Sequence, residues 1–273
     1  MFTHSRKTSS LAVSLQIMEL IYHATVAKVR SSHGNALIGL GIEILQTIIF
    51  LVAFYLMFTV LGMTGNAIRG DFLLYLMTGI FLFLTHTKAM GAILSSEGPT
   101  APMMKHAPMN TIISICSAAL SSFYLQTLSM AVVMFGIHTL FNPLDIYDPM
   151  GAWLMFMLAW GSGVGIGMCL LAAKPWAPNF VMILNTVYAR LNMIASGQMF
   201  VANTLPGFMI SWFSWNPLFH AIDQARGYTF INYEPHFTNW QYPLYFTLGF
   251  ILLGLMGDFF TRRHASVSWS AAR

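Results

Sequence analysis

Long apolar runs separated by short polar connections organise this chain. Six of them are long enough to cross a bilayer as helices, since the hydrocarbon core takes ~20 residues. They cover about 36–61, 72–94, 110–138, 150–173, 179–203 and 241–261. Helix breakers punctuate them. Gly62 and Gly65 close the first run, and Gly98, Pro99, Pro102 and Pro108 fill the connection after the second. Asn142-Pro143 ends the third, and Lys174-Pro175-Trp176-Ala177-Pro178 is a tight link before the fifth. Residues 204–240 fit no span. They are aromatic and partly apolar, but Pro206, Gly207, Pro217, Gly227 and Pro235 break them, and they hold Asp223, Arg226 and Glu234. Short re-entrant helices are expected there, because irregular backbone is tolerated at membrane depth only where protein shields it.

Residues 8–30 follow a different pattern. Leu11, Leu15, Met18, Tyr22, Val26 and Val29 recur at helical spacing, while Gln16, Glu19, His23, Lys28 and Arg30 occupy other faces. This predicts an amphipathic helix lying on the membrane surface, the alternative being a helix packed on a partner protein. The expected organisation is therefore all-α: a cytoplasmic N-terminus with an interfacial helix over 1–35, and a six-span transmembrane domain over 36–273.

Composition agrees. Hydrophobic residues make up 56% of the chain and charged residues only 8%, against roughly 25% charged in soluble domains. A charge in hydrocarbon costs several kcal/mol, which explains the deficit and leaves no room for a large soluble domain. The lysines and arginines are unevenly shared. With six spans, Arg6, Lys7, Lys28, Arg30, Lys88, Lys105, Lys174, Arg262, Arg263 and Arg273 fall on one side, Arg69 and Arg226 on the other, and Arg190 inside a span. The positive-inside rule then places both termini in the cytoplasm. The net charge of +4 reflects this topology rather than nucleic acid. No apolar stretch with a small-residue cleavage site occurs in the first 35 residues, so no cleavable signal is expected. Cys116 and Cys169 lie in apolar runs without disulfide or metal spacing.

Candidate chemistry is sparse. Gly161-Ser162-Gly163-Val164-Gly165-Ile166-Gly167 lacks the Lys-Ser/Thr ending of a phosphate loop and lies inside a span. Its small residues four apart instead permit close helix packing. The nine histidines show no paired metal spacing, and no nucleophile elbow is present, so neither a catalytic residue nor a metal is expected. In the fifth run Asn185, Tyr188, Asn192, Ser196 and Asn203 fall near one face. They line an aqueous path or bond to other helices, since polar groups in hydrocarbon need one or the other. Arg190 and Glu43 are intramembrane charges, and pairing them would avoid an isolated buried charge. Phe50, Phe54 and Phe58, with Tyr55 beside them, form a rail suited to sugar C–H faces or to helix packing.

Taken together, the chain resembles the membrane-spanning permease subunit of bacterial ABC exporters, in the capsular polysaccharide and O-antigen export family (type-2 ABC permeases). Lys28-Val29-Arg30-Ser31-Ser32-His33-Gly34 followed by Leu37-Ile38-Gly39-Leu40-Gly41-Ile42-Glu43 resembles that family's basic, glycine-containing approach to the first span. Ile44 stands where the family often has proline, and its tryptophan before the glutamate is missing. Trp215-Asn216-Pro217-Leu218-Phe219-His220, continuing to Arg226, resembles the family's Asn-Pro-Leu-x-His…Arg segment of short re-entrant helices.

The resemblance implies an inner-membrane homodimer driven by two copies of a separate ATPase, which binds ATP and magnesium, with no cofactor in this chain. The cargo would be a lipid-linked polysaccharide, handed to periplasmic and outer-membrane export proteins. Phe50, Phe54, Tyr55, Phe58, Asn185, Tyr188 and Asn192 would line its path. Gly98, Met103, Met104, Lys105 and His106 would couple to the ATPase, and Asn216, Pro217, His220 and Arg226 would form the re-entrant motif. Rival expectations are a permease of the same fold exporting teichoic acid, lipid or drug, and an ion-coupled secondary transporter, which would need more intramembrane acids than Glu43 and Asp258. Single cysteines replacing Lys105 and Arg263 in a cysteine-free background should both be labelled only from the cytoplasmic side; opposite labelling would overturn the topology.

Overall fold

The computed structural model describes residues 10–31, 36–62, 68, 70–98, 110–141 and 143–264. Among the described residues the chain is helical, without strands. The order is α1 (Ser10–Ser31), α2 (Ala36–Val60), α3 (Phe72–Leu94), α4 (Thr111–Leu140), α5 (Pro149–Ala173), α6 (Pro178–Ala195), α7 (Gly207–Phe213), α8 (Pro217–Thr229) and α9 (Gln241–His264). Five of these, α2, α3, α4, α5 and α9, are long and apolar enough to cross a membrane. The chain is thus built as a multi-pass helical membrane protein.

Local signals set the helix starts. Asp71 caps α3 by accepting from the Leu73 N–H at 2.7 Å. Asp148 caps α5 by accepting from Met150 and Gly151, with Pro149 at the first position, where its missing N–H costs nothing. Asn216 and Pro217 start α8 in the same way.

The fifth expected span is shorter than its apolar pattern suggested. α6 has 18 residues and ends at Ala195 instead of near 203. At ~1.5 Å per residue it is about 27 Å long, just under a ~30 Å hydrocarbon core. Gly197, at φ +75°, takes the left-handed position that ends many helices, and the Phe219 ring fills the space its Cβ would need. Ser196 and Asn203 therefore belong to a connection, not to a helical face. The broken segment 204–240 forms two short helices, α7 and α8, as its prolines and glycines predicted.

α5 is the hub. It packs along α3 on one side and α9 on the other, and also meets α8. Its glycines make this possible. A Cβ on Gly163 would lie 2.3 Å from the His86 carbonyl oxygen, and one on Gly167 would lie 2.9 Å from that of Met90. On the opposite face, Gly161 meets Thr247 and Gly165 meets Phe250, while Gly254 of α9 receives Met168. The backbones approach so closely that hydrogen bonds cross between helices: Cys169 Sγ to Phe250 O, and Thr261 Oγ1 to Ala172 O at 2.9 Å. Most of α3 and α5 is buried, while α2 and α9 leave most of their apolar surface bare. Hydrocarbon would cover those faces.

α1 rests mainly on α4. Leu15, Met18 and Tyr22 of its apolar stripe remain largely exposed, a surface suited to the membrane interface. Gly163→Ala should destabilise the fold by about 1–3 kcal/mol, the usual cost of overpacking, seen as a lower thermal midpoint in detergent. Gly249→Ala, whose Cβ meets nothing within 4 Å, should leave the midpoint unchanged.

Candidate functional site

The most elaborate polar construction surrounds the C-terminal end of α6. Arg226 of α8 is 1% exposed, and its guanidinium donates to three backbone carbonyls: Gly197 at 2.8 Å, Phe200 at 2.6 Å and Gln198 at 2.9 Å. One planar fork thus satisfies the run of carbonyls left where the helix stops, a geometry specific to arginine. Its far face lies 4.3 Å from the Tyr75 ring centroid, a cation–π contact. Asn216 donates to Asn192 Oδ1 at 2.7 Å and to Ala195 O at 3.1 Å, while its own Oδ1 caps α8.

The acid needed to balance this cation lies one helical turn away. Asp223 accepts from the Tyr233 hydroxyl, from Thr238 Oγ1 at 2.8 Å and from the Ala202 N–H. Burial and the adjacent Asp223 carboxylate push the Tyr233 phenol well above its usual range, so it stays a donor. His220 accepts the Asn239 N–H at Nδ1 and therefore carries its proton on Nε2, which donates to Ser214 O at 2.8 Å. Burial holds its imidazole below the usual pKa. Of the residues expected to form the re-entrant motif, Asn216, His220 and Arg226 each bond to a different connection around α8, and Pro217 is its first residue.

A second pin holds α6 at mid-length. The fully buried His86 of α3 faces Ala159 O and Ser162 Oγ through Nδ1, and Tyr188 Oη through Nε2 at 3.1 Å. Ser162 spends its own proton on Ala159 O. The imidazole therefore carries hydrogen on Nδ1 and accepts from Tyr188. Otherwise α6 touches the chain sparingly. Phe180, Ile183, Val187, Leu191 and Ile194 form an exposed apolar face.

The polar stripe of the fifth run is accordingly divided. Tyr188 and Asn192 bond to other helices, while Asn185 keeps a buried Oδ1 without a partner. The aromatic rail is not a free surface. Phe54 and Phe58 are 6% and 8% exposed, packed with Phe72 and Tyr75, and Phe50 stacks on Phe83. Only Tyr55 presents much of its ring. Helix packing won because the i, i+4, i+8 face of α2 is the one turned to α3.

The expected Glu43–Arg190 pair does not form. Glu43 pairs with Lys88 at 3.0 Å and accepts from Gln126 at 3.1 Å, tying α2, α3 and α4 together. Arg190 is exposed on α6. Lys88 lies within reach because its α3 backbone faces Glu43 across the bundle, whereas α6 lies on the far side of α3. A cavity of about 310 Å³ beside this pair is also lined by Lys28 and Ser122. Of the coupling residues, Gly98 packs near Leu171, while Met103, Met104, Lys105 and His106 lie outside the described residues.

Sequence reasoning missed His86, Ser162, Lys88 and Gln126 as network members. A histidine and a lysine two residues apart within an apolar run were the available signal, because polar groups there require partners. No group of three or more metal-ligating side chains converges among the described residues. Comparison with protein-family models and with curated proteins finds no match.

Arg226→Met should cost about 3–5 kcal/mol, as when one member of a buried charged network is removed. Arg226→Lys should fail to restore stability, because an ammonium carries its donors on one nitrogen and cannot match carbonyls spaced for the two ends of a planar fork. Monodispersity and thermal midpoint in detergent measure both.

Proposed function

We propose that the chain is the permease subunit of an ATP-driven exporter that moves a capsular or O-antigen-like, lipid-linked polysaccharide across the inner membrane. One observation carries this. The Asn216-Pro217-Leu218…His220…Arg226 segment, on which the family resemblance chiefly rests, is also the segment whose side chains build the buried network at the end of α6. Residues that define the likeness are therefore residues that define the architecture.

In this proposal α6 is the fifth of six spans and α9 the sixth, α7 and α8 are the re-entrant helices, and both termini are cytoplasmic. The bare apolar face of α6 supports a homodimer, because a second copy would cover Ile183, Val187 and Leu191. The path for sugar runs beside α6, where Asn185 and Tyr188 supply polar groups. Many weak contacts suit a long glycan better than one tight site, which would stall translocation. The energy comes from two ATPase chains docked near residues 98–106. An ATPase can drive export only by binding one conformation better than another.

Deletion of the chain in its host should abolish surface polysaccharide and leave lipid-linked polymer in the cytoplasm. Purification from native membranes should recover an ATPase in equal amount. Normal surface polysaccharide after deletion would remove the cargo assignment. Recovery of the ATPase with a teichoic acid, lipid or drug phenotype would keep the permease and change the cargo.

A further inference from the structure

A groove of about 640 Å³ separates α4 from α9 on the surface of α5, with α1 lying across it. Ligand sites fall in the same volume range, ~300–1,000 Å³. Its walls are almost wholly apolar: Cys116 and Leu120 of α4, Trp160 and Val164 of α5, and Leu255 of α9. Leu120, Leu255 and Ile112 on the rim are 43%, 44% and 47% exposed, so the groove opens on an apolar surface. Met18 and Tyr22 of α1 border it with 66% of each side chain bare. The floor is fixed, because the Trp160 indole N–H donates to Ala119 O at 3.2 Å.

The groove has one polar end. Asp258 lines it and is 7% exposed. Its Oδ2 pairs with Arg262 at 2.7 Å, whereas Oδ1 is buried without a donor. A buried carboxylate oxygen left without a donor is destabilising until one reaches it. A donor carried into the groove would satisfy it after a small turn of the carboxylate. Beside the acid, Arg262, Arg263 and His264 form the last turn of α9. From Ile251 to Asp258 the groove runs about 10 Å along α9.

We propose that this groove binds one acyl chain of a zwitterionic aminophospholipid. Its ammonium meets Asp258, and its phosphate meets the arginines at the end of α9. An acid and a base side by side complement a headgroup carrying both charges: Arg262 already offsets the charge at Oδ2, and the ammonium supplies the cationic donor that Oδ1 lacks, which a purely anionic headgroup does not carry. α1, resting over the site, is held partly by the lipid it covers. This proposal is independent of the export assignment, because it concerns a different face of the bundle and requires no ATPase or glycan.

The test is native mass spectrometry of the full chain, delipidated and then re-exposed to palmitoyl-oleoyl phosphatidylethanolamine or phosphatidylglycerol. One phosphatidylethanolamine per chain should survive activation that strips phosphatidylglycerol. Cys116→Phe, which fills the groove, and Asp258→Asn, which removes the acid, should each lower retention at least fivefold. Val132→Phe, at an exposed position on α4 outside the groove, should not. Thermal midpoints of the delipidated variants identify any that merely misfold; a misfolded Cys116→Phe is replaced by Leu255→Phe at the rim, with the same loss expected. Equal retention of the two lipids, undiminished binding in folded groove-filling variants, or occupancy by a second copy of the chain in place of lipid would each overturn the proposal.

Discussion

Backbone contact along α5 is the constraint from which the rest of the molecule follows. In hydrocarbon there is no solvent-driven gain in pressing one apolar helix against another, so association depends on dispersion and on bonds between helices. Both require short distances. Glycines on two faces of α5 let α3 and α9 approach until the carbonyl of His86 occupies the place of a side chain. Once α3 is fixed, His86 is aimed at Ser162 and Tyr188, and Lys88 is aimed at Glu43. The bond between His86 and Ser162 follows from the glycine contacts, since it would not span a wider gap.

α6 stands in contrast. It has no such intimate neighbour and is held at three places: by Val181 against Met90, Leu94, Ile166 and Leu170, by Tyr188 on His86, and by the Asn192, Asn216 and Arg226 cluster at its end. Much of its remaining surface is apolar and bare, with Arg190 exposed among it. α6 is thus gripped at points and free along a face, whereas α5 is gripped along two faces. Whatever moves in this protein, the slab of α3, α5 and α9 is the frame against which it does so.

Much of this was visible in the chain. Apolar runs located the five long helices, because burial in lipid demands length and apolarity together. Prolines and glycines between 204 and 240 marked two short helices. Spacing of the α5 glycines announced close packing. What periodicity could not supply was the identity of partners across the bundle. Glu43 was expected to pair with Arg190, and the placement of α6 on the far side of α3 leaves Lys88 as its partner instead. The aromatic rail of α2 has the same ambiguity: an i, i+4, i+8 stripe looks alike whether it faces a neighbour or a passage. The length of α6 was overestimated because residues 196–203 continue the apolar composition, while the left-handed glycine at 197 ends the helix.

The Arg226 fork also bears on the order in which the protein is made. Its guanidinium is synthesised 29 residues after the Gly197 carbonyl it holds. Until α8 leaves the ribosome, the tail of α6 has bare carbonyls and no anchor. The end of α6 is therefore secured late, waiting on a downstream residue while α3 and α5 can already have closed on each other and Tyr188 on His86. A nascent chain stopped between those two positions would carry α3 and α5 in contact, α9 not yet made, and α6 pinned at Tyr188 with its tail unfastened.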